Sequence, residues 1–118
     1  MHEMGIISGV VSGAMEVARE HNATSISKIT LRVGEMTEAI EDALQFAFEV
    51  LAQDNALIEQ CTLEVVMVSP KSHCVVCDVD YNHDRFHMVC PTCGMPGTLI
   101  QGKELDIASI DIDTEDER

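Results

Sequence analysis

The chain is short, strongly acidic and poor in aromatic residues. Its 118 residues include 21 acidic and seven basic side chains, for a formal net charge of -14, with three Phe, one Tyr and no Trp. Such a surface repels a phosphate backbone and offers few rings for base stacking, which argues against nucleic-acid binding and favours cations or basic proteins as partners. No apolar run approaches the ~18 residues of a membrane span, so we expect no membrane insertion.

The first element in chain order is an amphipathic helix that begins almost at the first residue. From Glu3 to about Glu20, apolar residues recur at the three- and four-residue spacing of one helical face, in the pairs Ile6/Ile7, Val10/Val11, Ala14/Met15 and Val17/Ala18. We expect residues 21–25 to form the turn that leaves this helix. The start of the chain lacks the basic segment of a signal peptide, which makes a cytoplasmic protein the expectation.

A candidate metal site lies at the start of this helix and consists of Met1, His2 and Glu3. The amine of Met1, the backbone nitrogen of His2 and its imidazole Nδ1 can close two fused chelate rings on one ion. A nearly planar set of nitrogen ligands suits Ni(II) or Cu(II). Glu3 adds a carboxylate, either as a ligand or as a charge that offsets the metal. In an arbitrary protein, a solvated terminal histidine is the commoner outcome.

A strand and a second helix follow. Residues 28–33 alternate strictly, which predicts a strand that ends at Gly34 and faces the core with Ile29, Leu31 and Val33. Thr37 is the expected N-cap of the next helix. The buried stripe of that helix is expected to contain Ile40, Ala43, Leu44, Ala47, Val50 and Leu51.

Two further alternations predict two more strands of the same sheet. One stops before Pro70 and carries Leu63, Val65 and Met67. The other is the last element and turns inward Ala108, Ile110 and Ile112. Because Leu105 and Ile107 are out of phase with that set, we expect a bulge near Ile107.

Two Cys-x-x-Cys pairs with twelve residues between them are the strongest motif of the chain: Cys74/Cys77 and Cys90/Cys93. Four thiolates presented by two tight turns suit a tetrahedral zinc ion. Gly94 supplies a permissive backbone after the second pair, and Asp78 is a tolerable substitute at the matching place. A filled shell of four sulfurs leaves no position for water or substrate, so we expect structural zinc.

Other uses of these residues remain open. A Cys-x-x-Cys pair can be a redox couple, although two pairs in a short stretch favour a metal ion. His73, His83 and His87 could replace a thiolate or join a second ion, but solvated loop residues are commoner. Cys61 is expected to be a half-buried inert thiol. Neither a phosphate-binding loop nor a nucleophile elbow is present, so we expect no enzyme activity.

Together, the elements predict an α+β fold: a small mixed three-stranded sheet with two helices, plus an inserted zinc-ribbon-like lobe. The metal-binding stretch lies between the second and third strands. The larger domain is therefore expected to be discontinuous, with residues 1–69 and 102–118 in an α/β domain and residues 70–101 in a zinc-binding domain.

Four features taken together resemble one protein family. They are the opening Met1-His2-Glu3 before an amphipathic helix, the Leu-Arg-Val-Gly-Glu strand end at 31–35, the four cysteines, and Gly-Lys-Glu-Leu at 102–105 before the last strand. Over essentially its whole length, the chain resembles the HypA/HybF-type nickel metallochaperones of [NiFe]-hydrogenase maturation.

The resemblance implies that His2 is the indispensable nickel ligand, with backbone nitrogens from Met1 to Glu3 completing the site, and that the four cysteines bind structural zinc. It also implies two partners: a nickel-handling maturation GTPase of HypB type, and the hydrogenase large-subunit precursor as recipient. Whether hydrogenase, urease or both receive nickel is left open, so urease maturation proteins are further candidates. The alternative is a zinc-ribbon protein–protein adaptor without metal delivery, which would be indifferent to His2.

Overall fold

The computed structural model describes residues 3–115 and contains two helices and two three-stranded sheets. In chain order the elements are α1 Glu3–Glu20, β1 Ala23–Gly34, a 3-10 turn Glu35–Thr37, α2 Glu41–Ala52, β2 Thr62–Val68, β3 Lys71–Cys74, β4 Val79–Asn82, β5 Thr98–Gln101 and β6 Leu105–Thr114. One sheet has the strand order β2-β1-β6 and the other β4-β3-β5. The predicted α+β class is confirmed, and the second sheet is an addition to it.

The described residues divide into two compact units. The first comprises residues 3–31, 39–66 and 106–115, and therefore contains α1 and α2. The second comprises Arg32–Glu38 and Met67–Leu105, and therefore contains β3, β4 and β5. None of the helices between residues 3 and 115 has the length and hydropathy needed to cross a lipid bilayer.

The core of the first unit is mostly aliphatic, with one aromatic ring, and α1 packs against α2 within it. Each fully buried side chain of this kind contributes roughly 1.5–3 kcal/mol relative to an exposed one. The residues of the first unit with at most 4% exposure are Ile7, Ala14, Ala18, Ile26, Ile29, Leu31, Leu44, Ala47, Phe48, Ile58 and Leu63. The predicted inward face of β1 is confirmed, because Ile29, Leu31 and Val33 are all 0% exposed.

Several expected boundaries and faces are wrong. Residues 23–25 do not form a turn but begin β1, where the Thr24 hydroxyl donates to the carbonyl of Asp113 on β6. Thr37 does not cap a helix, since its hydroxyl donates to the Gly34 carbonyl within the 3-10 turn. The N-cap of α2 is Ile40.

The predicted buried faces of α2 and β6 are also partly wrong. Ile40 and Val50 are exposed, and Phe48, which the expected stripe left out, is buried. On β6, Ala108 is exposed, whereas Ile107, Ile110 and Ile112 are partly buried. The inward face therefore changes phase between Ile107 and Ile110, which is the region where a bulge was expected.

The second unit is built on short antiparallel strands. β3 is central, pairing with β4 from Lys71↔Asn82 to Cys74↔Val79 and with β5 on its other side. The backbone at Gly34 approaches the backbone at Gly102 closely in this unit, because a Cβ added to Gly34 would overlap the carbonyl of Gly102. The amide of Gly34 donates to the Glu104 carbonyl at 2.7 Å. This scaffold places the cysteines at the end of β3 and in the turns beyond it.

Candidate metal centres

The four cysteines of the two Cys-x-x-Cys pairs converge on one point of the second unit. Their Sγ atoms lie within 4.8 Å of one another, and Cys74 Sγ is 3.5 Å from Cys93 Sγ. Tetrahedral zinc with Zn–S bonds of ~2.3 Å requires sulfur–sulfur separations of roughly 3.8 Å. The residues present therefore fit a Zn(Cys)4 centre in number, chemistry and spacing.

Local backbone geometry explains why each pair can present two sulfurs. The amide of Cys77 points at Cys74 Sγ at 3.4 Å, and the amide of Gly94 donates to the Cys90 carbonyl at 2.8 Å. The residue after each pair is left-handed, with φ of 54° at Asp78 and 75° at Gly94. Both pairs are thus followed by a left-handed residue, which is the backbone conformation expected at the two matching places.

The thiols of Cys77 and Cys90 differ in pKa. The amides of Cys93 and Thr92 donate to Cys90 and lower the pKa of its thiol to about 7. The hydrogen bond with the Cys93 side chain, together with burial, raises the pKa of Cys77 to about 12. Four neighbouring thiols cannot all lose their protons without a cation to balance the charge, and a bound dication would favour all four thiolates.

A small cluster supports these ligands. Cys74 and Cys90 are each 1% exposed and pack with Tyr81, the sole tyrosine of the chain. The hydroxyl of Tyr81 donates to the Met88 carbonyl at 2.9 Å, which links β4 to the residues just before Cys90. A Cβ added to Gly97 would overlap this hydroxyl. Sequence reasoning did not identify Tyr81 and Gly97 as supports, although a lone tyrosine between two cysteine pairs is a usable signal.

The histidines near the cysteines have other partners. His73 Nδ1 lies 2.7 Å from an Asp80 oxygen, and its Nε2 lies 3.4 Å from one of Asp78. His83 Nε2 pairs with the Ser72 hydroxyl at 2.7 Å. Within residues 3–115, the only group of three or more metal-binding side chains brought together is the cysteine set.

Cys61 stands apart from the cluster. It is partly buried, its Sγ lies 3.6 Å from the Thr62 carbonyl, and burial raises the pKa of its thiol. A raised pKa keeps the side chain as a neutral thiol at pH 7, so these features agree with the expected inert cysteine.

The candidate nickel site at the amino terminus lies mostly outside the described residues. Met1 and His2 are not among residues 3–115, whereas Glu3 is in the first turn of α1. One carboxylate oxygen of Glu3 accepts a hydrogen bond from the amide of Ile40, at 3.2 Å, at the start of α2. Sequence reasoning missed this role of Ile40, because no local pattern links residues 37 positions apart.

Comparisons with known proteins agree with this architecture. Residues 1–112 match the family model described as "Hydrogenase/urease nickel incorporation, metallochaperone, hypA". The hydrogenase maturation factor HypA of Methanosarcina barkeri is 32% identical, with 99% of each chain covered. That of Caldanaerobacter subterraneus is 30% identical over 96% of this chain and 100% of its own.

Solved structures show the same fold. The solution structure of the Ni metallochaperone HypA from Helicobacter pylori has a TM-score of 0.69 at 21% identity and covers 98% of this chain and 100% of its own. A second HypA solution structure has a TM-score of 0.72, with 98% of both chains covered. A match along nearly the whole chain, including both cysteine pairs, leaves one assignment. The chain belongs to the HypA family of hydrogenase and urease nickel-incorporation metallochaperones.

Proposed function

We propose that this chain binds one Ni(II) ion at its amino terminus and delivers it for [NiFe]-hydrogenase maturation. The observation that carries the proposal is the family match over residues 1–112, which includes both Met1-His2-Glu3 and the four cysteines. The ligands of the transferable ion are the imidazole of His2 and backbone nitrogens from Met1 to Glu3, with the carboxylate of Glu3 as a further ligand or as a charge that offsets the metal. In this proposal the chain carries a metal and catalyses no reaction.

A site at a chain end suits a carrier, because few packed groups must move when a second protein supplies competing ligands. The hydrogen bond from the Ile40 amide holds the Glu3 carboxylate at the start of α2. That contact supports a fixed position for the residue that follows His2. Release then requires exchange of ligands at the chain end, while the core of the first unit stays packed.

The resident ion in this proposal is zinc, held by Cys74, Cys77, Cys90 and Cys93. The converging Sγ atoms support this assignment. Such a centre supplies cross-linking of two turns and no open coordination position. The proposal divides the chain into a nickel-binding domain of residues 1–69 and 102–118 and a zinc-binding domain of residues 70–101.

The proposed partners follow from nickel delivery. They are a maturation GTPase of HypB type, which exchanges nickel with this chain, and the hydrogenase large-subunit precursor, which receives it. The family description includes urease, which supports urease maturation proteins as additional recipients. We place this exchange in the cytoplasm.

A nickel titration tests the proposal. Calorimetry on zinc-loaded, untagged protein is expected to give one nickel per chain, and His2→Ala is expected to abolish that binding while zinc content stays unchanged. His21→Ala removes another exposed histidine and is the matched control. Binding is expected to weaken below about pH 6.5, where the imidazole takes up a proton. Unchanged nickel affinity in His2→Ala would favour the adaptor alternative.

A further inference from the structure

The outward face of α2 carries an apolar strip, formed by Phe46 and Val50, that nothing within residues 3–115 covers. Phe46 is 66% exposed and Val50, one helical turn later, is 39% exposed. Residues four apart lie on the same face of a helix, so the two side chains form one continuous strip. Single exposed apolar residues are ordinary, but a neighbouring aromatic and aliphatic pair on one helical face marks a candidate contact surface.

Acidic side chains border this strip. Asp42 lies one turn before Phe46, and Glu49 lies three residues after it, so both flank the ring. Both are exposed, and neither has an ion-pair partner among residues 3–115. The whole segment 39–66 contains six acidic residues and no basic residue.

Charge is distributed unequally between the two units. Among described residues, the first unit carries 13 acidic and two basic side chains, whereas the second carries six acidic and four basic ones. The apolar strip therefore lies on the unit with the strong negative field. A second copy of this chain is a poor occupant, because a symmetric contact would bring Asp42 and Glu49 against their own equivalents.

The strip lies on the helix whose start binds Glu3, the described residue of the proposed nickel site. The amide of Ile40, at the start of α2, holds the carboxylate of Glu3, and Phe46 lies six residues further along the helix. Six residues of helix rise about 9 Å. A standard interface covers about 800 Å² of each partner, a patch wider than this rise, so a protein seated on Phe46 can also reach the N-terminal end of α2 where Glu3 is bound.

We propose that the α2 face formed by Phe46, Val50, Asp42 and Glu49 is the docking surface for the maturation GTPase that exchanges nickel with this chain. That partner presents an apolar pocket for the Phe46 ring, edged by lysine or arginine side chains that pair with the two carboxylates. The inference rests on the proposed function, because it assigns a partner to the same metal site.

Binding measurements with the purified maturation GTPase test this surface. Phe46→Ala and Glu49→Lys are each expected to raise its Kd by about tenfold or more, the scale of an interface hot spot. The hydrogenase large-subunit precursor is the second probe, and weakened binding of the precursor alone would overturn the choice of the GTPase as occupant. Phe86→Ala and Glu59→Lys are matched controls, since Phe86 is 75% exposed and Glu59 is also exposed. Both controls are expected to stay within about threefold of the wild-type Kd.

The outcomes separate this inference from the proposed function. Nickel binding by Phe46→Ala is expected to match the wild type, and circular dichroism is expected to show the same fold. Wild-type Kd values of the GTPase for both variants, or no binding of the GTPase to the wild-type chain, would overturn the docking surface while the nickel titration still stands. A wild-type dimer that Phe46→Ala converts to a monomer would also overturn it, by showing that a second copy covers the strip.

Discussion

At the scale of single residues, Asp84 organises the loop before Cys90. Its carboxylate accepts hydrogen bonds from the amides of Phe86 and His87 at 2.8 Å each, and pairs with His87 Nδ1 at 2.9 Å. These contacts hold the pKa of Asp84 below its ordinary value, and the hydrogen bond with the His87 side chain makes the largest contribution. One short acidic side chain thus holds both Phe86 and His87 in place.

This geometry predicts the pH dependence of the loop. Because the folded-state pKa of Asp84 is lowered, its stabilising effect is complete above about pH 4 and is lost as the pH falls through the folded-state value. His87→Ala removes the largest contribution, so the pKa of Asp84 is expected to rise toward the ordinary range. An NMR titration of the side-chain carboxyl carbon measures this. His21→Ala is the control, and an unmoved Asp84 pKa in His87→Ala would contradict the assignment.

At the scale of elements, two glycines of the chain should respond oppositely to the same substitution. Gly9 lies within α1 and an added Cβ would meet nothing within 4 Å, so Gly9→Ala is expected to raise the free energy of unfolding by roughly 1 kcal/mol. At Gly34 the Cβ would overlap the Gly102 carbonyl, so Gly34→Ala is expected to lower the free energy of unfolding by about 1–3 kcal/mol. Urea unfolding measures both, and a destabilised Gly9→Ala would show that α1 is packed on that side.

The elements that sequence reasoning located well are those with local, periodic signals. α1 and the inward residues of β1 repeat at spacings that only one secondary structure satisfies. The start of α2 was misplaced because the carboxylate at its N-terminal end comes from Glu3, on another helix. The predicted start of β1 lies too late in the chain. Thr24 and Ser25 belong to the strand because they bond to Asp113, nearly 90 residues away.

The strands of the second unit carried no comparable signal. β3, β4 and β5 have four residues each, which is too short for an alternation to stand out. The site between them was nevertheless predictable, because metal-ligand spacing is a property of two short turns. Asp78 and Gly94 adopt the left-handed backbone that the motif anticipated at both matching places.

At the scale of the whole molecule, the two units differ in what stabilises them. The first has an extensive aliphatic core between α1, α2 and the sheet. The buried cluster of the second consists of Cys74, Tyr81 and Cys90, so two of its three members are candidate ligands. A cluster of that size does not supply enough burial to order the 46 residues of the second unit, and metal cross-links take its place in small domains of this kind.

Zinc removal is therefore expected to affect the units unequally. A chelator at neutral pH should collapse the chemical-shift dispersion of the β3, β4 and β5 amide signals, because metal binding and folding of such a lobe are coupled. The helical circular dichroism signal should persist, since α1 and α2 belong to the first unit. Cys93→Ser is expected to mimic the chelator, whereas Cys61→Ser, outside the cluster, should keep its zinc. Intact β3–β5 signals in protein shown by metal analysis to lack zinc would refute a structural role for the metal.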